Sequence, residues 1–212
     1  MPRIDPGLIP LEPDLSFELA LWAAGQGSVA GIDEAGRGAL AGPVAAGAVI
    51  LPPGAEILVQ LKGVRDSKQM TPLEREASLE LILRYATAWG VGFASHEEID
   101  QQGIVPATRL AASRAIENLG LLPEHLLLDY LFLPDISLPQ TALIKGDCRS
   151  LSIAAASVLA KTSRDAFLRE LDGKYPGYGF AVHKGYGTRG HRQALQRLGP
   201  SPEHRLSFTL LP

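Results

Sequence analysis

The apolar positions of this chain fall into short blocks separated by Gly, Pro and charged residues. Val29, Ala30 and Ile32 predict a short buried strand that runs into Asp33 and Glu34. Pro43 to Leu51 predicts a second strand, closed by Pro52-Pro53-Gly54. The two can form a hairpin-like pair around Gly36-Arg37-Gly38. Val91 to Ser95 predicts a third strand. Leu126-Leu127-Leu128 and Ala142-Leu143-Ile144 are two further buried runs.

Helical spacing fills the intervals. Asp14 can cap a short helix with Leu15, Leu19 and Trp22 on one side, ended by Gly25. Thr71-Pro72-Leu73-Glu74 is a capped start with Pro in the first turn and Glu three residues after the cap. Leu73, Ala77, Leu81, Ile82 and Tyr85 are its expected buried face, and Gly90 its expected stop. His96 to Gln102 predicts a short helix ended by Gly103, and Pro106 opens another that closes at Gly120. Ile153 to Leu171 predicts a long helix, small on one side at Ala154, Ala155, Ala156, Ser157 and Ala160. Its Lys161, Arg164 and Asp165 read most simply as exposed charges. Residues 175 to 187, rich in Gly and aromatics, predict a loop, and Thr188 caps a last helix to Leu198.

Bulk properties narrow the class. The chain has 212 residues, 46% of them hydrophobic and 6% aromatic, as expected of a soluble α/β protein. Its apolar runs are too short to span a bilayer, and its start lacks the pattern of a signal peptide. The single Cys148 excludes an internal disulfide and fits a reducing cytoplasm. A net charge of −3 does not point to a general polyanion binder. The distribution says more: from Gly173 to Pro202 there is no Asp or Glu, while Lys174, Lys184, Arg189, Arg192 and Arg197 fall there. That stretch is a candidate basic face for a nucleic-acid backbone, with a solvated helix as the plain alternative.

Three separate apolar runs each lead into an aspartate: Asp33, Asp129 and, through Lys145-Gly146, Asp147. Glu34 doubles the first. Buried carboxylates are costly without compensating charge, and a divalent cation is the strongest compensation available. Oxygen ligands suit Mg²⁺ or Mn²⁺, and no Cys-His cluster has zinc spacing. Arg37 between two glycines suits an anionic partner. A metal-ready carboxylate set beside such a turn points to chemistry on a phosphodiester.

In order along the chain, the motifs are Gly-Ile-Asp-Glu-Ala-Gly-Arg-Gly at 31 to 38, Asp-Ser-Lys at 66 to 68, Asp129, and Lys-Gly-Asp at 145 to 147. Ala-Ala-Ala-Ser-Val-Leu-Ala-Lys at 154 to 161 and Arg164-Asp165 follow, then Tyr-Gly-Phe at 178 to 180 and His-Lys-Gly-Tyr-Gly-Thr at 183 to 188. Together they resemble the ribonuclease HII family, the bacterial type 2 ribonuclease H, over roughly residues 29 to 208. The resemblance implies an α/β ribonuclease H-like fold: a central mixed five-stranded sheet flanked by helices, with a helical C-terminal portion. It implies one catalytic domain over residues 29–208, and leaves residues 1–28 as an extension with a short helix and no assigned role.

The same resemblance implies hydrolysis of the RNA strand of RNA–DNA hybrids, cleavage 5′ to single ribonucleotides embedded in duplex DNA, and hence a part in ribonucleotide excision repair. The products would carry 5′-phosphate and 3′-hydroxyl ends. Asp33, Glu34, Asp129 and Asp147 map onto the family's catalytic carboxylates, balanced by two divalent ions, Mg²⁺ or Mn²⁺, roughly 4 Å apart. Gly36, Arg37 and Gly38 map onto the turn that contacts the 2′-hydroxyl, and Tyr186 onto the ring beside the junction. Lys68, Lys161, Lys184, Arg189 and Arg192 are the candidate phosphate contacts, and a cytoplasmic monomer is the expected state. The alternatives are another ribonuclease H-like two-metal nuclease, or a hybrid-binding protein without catalysis. One departure from the family pattern follows Asp129: Tyr130-Leu131-Phe132 stands where a Gly is usual, and this bears on how the strand exits.

Overall fold

The computed structural model describes residues 5, 7 and 9–211. Five strands form one mixed sheet: β1 (Val29–Ala35), β2 (Val44–Ile50), β3 (Ala88–Ala94), β4 (His125–Asp129) and β5 (Gln140–Leu143). Their spatial order is β3-β2-β1-β4-β5. β1 and β2 pair antiparallel with Ala30 opposite Ile50, which is the expected hairpin-like pair, and β3 continues antiparallel on β2. β4 joins the other side of β1 in parallel, Ile32 beside Leu128, and β5 runs parallel to β4. The sheet is the α/β arrangement that the ribonuclease H resemblance implies.

The helices are α1 (Ser16–Ala23), α2 (Ile57–Gln60), α3 (Pro72–Tyr85), α4 (His96–Gln102), α5 (Ile104–Glu117), α6 (Leu151–Lys174), α7 (Phe180–His183) and α8 (Arg189–Leu198). Strand alternation sends Ala30, Ile32, Ala46, Ala48, Leu126 and Leu128 to one face, where they pack on Ala107, Ala111 and Ala115 of α5. The opposite face takes α6. Gly47 lets that helix approach closely: a Cβ there would lie 2.4 Å from the Ala156 carbonyl.

Several expected details change. β1 carries Asp33 and Glu34 within the strand and runs on to Ala35. The capping box at Thr71 and Glu74 is present. The buried stripe of α3, however, is Ser78 and Ile82, whereas Leu73 is 78% exposed and Ala77 also faces solvent. Gly90 does not end α3. It lies inside β3, where a Cβ would meet the Ala115 carbonyl of α5 at 2.2 Å. The 175–187 stretch contains one helical turn, α7. α1 is tied to the start of α6 by buried Glu18, whose Oε1 accepts from Ser150 Oγ, Ser152 N and Ser152 Oγ at 2.6, 2.9 and 2.6 Å.

Candidate active site

Asp33 and Asp129 point to the same face because they lie on adjacent parallel strands in the same phase of the pleat. That face is the α6 side, and Asp147 arrives from the 3-10 turn Gly146–Cys148 that leads into α6. One oxygen from each of Asp33, Asp129 and Asp147 lies within 4.8 Å of the others. Glu34 is the next residue on the strand and starts from the opposite face. It stands beside this trio rather than in it, with Oε1 accepting from Arg37 Nη1 at 2.9 Å.

The cluster is electrostatically unfinished. Asp33 is 2% exposed, and burial, reinforced by Glu34, Asp129 and Asp147, holds its carboxyl well above the ordinary aspartate value. Burial and Asp147 push Asp129 up to about 6, although Gly146 N–H donates to it at 2.7 Å. Lys68 is the nearby cation, with Nζ 3.2 Å from Asp147 Oδ2. Burial works against its charge, but Asp33, Asp147 and Asp66 outweigh this and raise its pKa. Asp33 Oδ2 and Glu34 Oε2 are buried without a hydrogen-bond partner among the described residues. Lone pairs left without donors between mutually repelling carboxylates fit divalent cations held by oxygen ligands.

A pH prediction follows from the raised carboxyls. Asp129 titrates near 6 in the cation-free fold, against about 3.8 for an ordinary aspartate. The fold therefore favours its protonated form, and cation-free stability falls as pH rises from about 4 to about 6, then levels off. Added Mg²⁺ removes that penalty. The rise in melting temperature on adding Mg²⁺ should grow across this window, and a Mg²⁺ effect equal at pH 4.5 and pH 7 would contradict it.

A cleft of about 490 Å³ opens over the carboxylates, lined by Asp33, Glu34, Asp129, Lys68, Lys161 and Tyr186 together with the 36–38 turn. The turn is shaped by Gly36, which takes φ +95°. Its missing side chain leaves room for Arg164, whose Nε would sit 1.9 Å from a Cβ there. Arg164 is fully buried, not an exposed charge. It donates to the carbonyls of Pro43, Ala41 and Lys184 at 2.8, 3.0 and 2.9 Å. It thus joins the segment after the turn to the segment before Tyr186. Tyr186 bridges to Ala39, and its ring centroid lies 5.6 Å from the Arg164 guanidinium carbon.

The remaining sequence candidates divide. Lys161 lines the cleft and donates to Asp165 at 2.6 Å, and burial lowers its pKa. Lys184 lines an adjoining cleft with Arg75 and Arg169, in left-handed backbone at φ +51°, and its ammonium donates to the Ala181 carbonyl. Arg189 is exposed at the start of α8 and outside both clefts. Arg192 is also outside them, and donates to the carbonyls of Gly187 and Leu210. Tyr130 takes the left-handed conformation, φ +48°, that a glycine would adopt without strain. Asp129 nevertheless keeps its bond to Gly146. Arg75 and Arg205 carry no local sequence signal, yet both hold backbone carbonyls around the cleft.

The family model described as ribonuclease HII matches residues 30–211. The chain belongs to the ribonuclease HII family. A ribonuclease HII from Synechococcus is 53% identical over 201 residues, covering 95% of this chain and 90% of the relative. One from Dehalococcoides mccartyi is 50% identical over 204 residues, covering 94% of each. Among solved structures, the ribonuclease HII of Archaeoglobus fulgidus, determined with PCNA, is similar with a TM-score of 0.72 and 26% identity, over 87% of this chain and 96% of that one. As a ribonuclease HII, the chain is a metal-dependent endoribonuclease, and the acidic cluster is its candidate metal centre. Among the described residues, no helix is long and apolar enough to cross a membrane.

Proposed function

We propose that this ribonuclease HII hydrolyses the RNA strand of RNA–DNA hybrids and cuts 5′ to single ribonucleotides embedded in duplex DNA, leaving 5′-phosphate and 3′-hydroxyl ends. The observation that carries the reading is three converging aspartates, two of which line one cleft with a thin glycine turn and an aromatic ring. Asp33, Asp129 and Asp147 would hold two divalent ions, Mg²⁺ or Mn²⁺, with Glu34 completing the set. When bound, such ions supply activation of a water and stabilisation of charge on the leaving 3′ oxygen.

The chain's own residues do the rest. The peptide groups of Gly36 to Gly38 can meet a 2′-hydroxyl in the wide minor groove of an A-like duplex, which is the group that tells RNA from DNA. Tyr186 lines the same cleft, where its ring can pack on the following sugar and favour a deoxynucleotide there. Lys68, Lys161 and Lys184 line the two adjoining clefts, where a backbone phosphate can reach them. Arg189 and Arg192 would act farther along a duplex. A role in ribonucleotide excision repair, action as a monomer and a cytoplasmic location complete the proposal. A binding protein without catalysis is disfavoured, because an acidic cluster facing phosphates weakens binding unless cations are present.

The test is cleavage of a duplex DNA carrying one ribonucleotide, with and without Mg²⁺, beside a continuous RNA–DNA hybrid. Mg²⁺-dependent cuts 5′ to the ribonucleotide are expected. Tyr186→Ala should lower cleavage of the embedded ribonucleotide by about 10-fold, the loss of a contact worth on the order of 1–3 kcal/mol, and affect the continuous hybrid less. Equal fractional losses on both substrates would mean that Tyr186 does not read the junction.

A further inference from the structure

Behind Tyr186 lies a cluster of three histidines, buried His191 and His204 and half-buried His183, packed around Phe180. Their hydrogen bonds have only one consistent direction. Ser201 N–H lies 2.8 Å from His204 Nδ1 and can only donate; it is nearer than the Ser201 carbonyl at 3.3 Å, so that nitrogen accepts. The neutral His204 ring then carries its proton on Nε2, which faces His191 Nε2 at 3.0 Å. His191 Nε2 must accept, which leaves the proton on Nδ1, 3.0 Å from the Tyr186 carbonyl, a group that can only accept. The result is a relay in which every proton position follows from an obligate donor or acceptor: Ser201 N–H to His204, His204 to His191, His191 to the Tyr186 carbonyl. Burial, with His183 stacked at 4.1 Å, lowers the His191 pKa to about 4 and keeps the ring neutral. His183 clamps the preceding residue, accepting from Gly185 N–H at 3.2 Å and donating to the Tyr178 carbonyl at 2.8 Å.

The residue next to His204 holds the other wall of the cleft. Arg205 is fully buried and donates to the carbonyls of Arg37 and Gly42 at 2.9 and 3.0 Å. Its own N–H donates to the Leu40 carbonyl at 2.9 Å, and Ala41 bridges to His204. One dipeptide therefore reaches Tyr186 through a histidine relay and the 36–38 turn through a guanidinium.

We propose that His204 and Arg205 are positioning residues that set the spacing between Tyr186 and the Gly36–Gly38 turn, and so tune selectivity for a ribonucleotide followed by a deoxynucleotide. This rests on the reading of the cleft given under the proposed function. Neither residue lines the cleft, so neither touches substrate. Their effect is on the ratio of the two activities, because the three converging aspartates hang on β1, β4 and the turn before α6, while the side-chain bonds of this dipeptide go elsewhere.

The experiment compares wild type, Tyr186→Ala, His204→Phe and Arg205→Lys on a single embedded ribonucleotide and on a continuous hybrid. His204→Phe keeps the ring volume and removes the donor to His191. Arg205→Lys keeps the charge and can serve fewer carbonyls. Each should lower kcat/KM on the embedded ribonucleotide about tenfold more than on the hybrid, with the Mg²⁺ midpoint on the hybrid unchanged. Equal losses on both substrates, or none, would overturn the proposal. If Tyr186→Ala itself leaves the ratio unchanged, the reading of the cleft fails. If Tyr186→Ala shifts the ratio and the other two variants do not, only the positioning role fails. A check on the wild-type protein needs no variant: ring ¹⁵N shifts at neutral pH should place the proton on Nδ1 of His191 and on Nε2 of His204. The reverse tautomers, or a charged ring, would remove the relay.

Discussion

Asp129→Asn should leave the protein folded and lower kcat on either substrate by about three orders of magnitude. The substitution removes one oxygen anion from the trio that a cation would bridge, and several kcal/mol of transition-state stabilisation go with it, at 1.36 kcal/mol per tenfold. Two accompanying signs separate this from unfolding. Cation-free stability at pH 7 should rise, because the raised pKa of Asp129 makes its ionised form a liability in the fold. Substrate binding without metal should persist or tighten, because a negative charge near phosphates is gone. Thermal melts, filter binding and single-turnover cleavage measure the three. A folded Asp129→Asn protein with wild-type turnover would remove Asp129 from the metal centre.

Gly36→Ala should be the most damaging single-methyl change around the cleft. The residue sits at φ +95°, where a side chain is strained, and the added Cβ would press on Arg164 Nε at 1.9 Å. Arg164 cannot step aside without releasing carbonyls on Pro43, Ala41 and Lys184. Backbone strain and overpacking together cost on the order of 2–5 kcal/mol. For a domain of this size that lowers the melting temperature by roughly 5–15 °C. Cleavage of an embedded ribonucleotide should fall about 100-fold, the usual scale for an ångström of misplacement in a reactive site. For the melting temperature Gly38→Ala is the matched control, since a Cβ there meets nothing within 4 Å. A Gly36→Ala protein that melts and cuts like wild type would show that the turn is not wedged against Arg164.

The carboxylates were legible in the sequence because each sits at the end of an apolar run, and strand ends on one sheet edge converge. Sequence alone could not separate Glu34 from the trio, because two adjacent carboxylates at a strand end have no assigned faces. Only the continuation of β1 to Ala35 puts neighbouring residues on opposite faces. The capping box at Thr71 and the cap at Thr188 were local and legible, whereas the buried face of α3 was not. α6 covers the side carrying Ser78 and Ile82 and leaves Leu73 to solvent, so neighbouring structure overrides the count of apolar residues. Arg164 read as a surface charge because its partners are carbonyls far away in the sequence. One signal was present: Arg164 lies at helical spacing between Ala160 and Leu168, on the buried stripe of α6. His204 and Arg205 left no trace, since their partners depend on the chain crossing over itself.

That crossing has a consequence for a chain still being made. A nascent chain that has emerged past Asp147 already holds all four carboxylates, and every strand of the sheet precedes that residue. Until Arg205 follows, the Arg37 and Gly42 carbonyls lack their guanidinium and the His191 ring lacks its donor. The candidate metal ligands are thus synthesised before the walls proposed to choose the cut site. A ribosome stalled in that interval would display an incomplete nuclease, and the last stretch of translation would bring selectivity rather than reactivity.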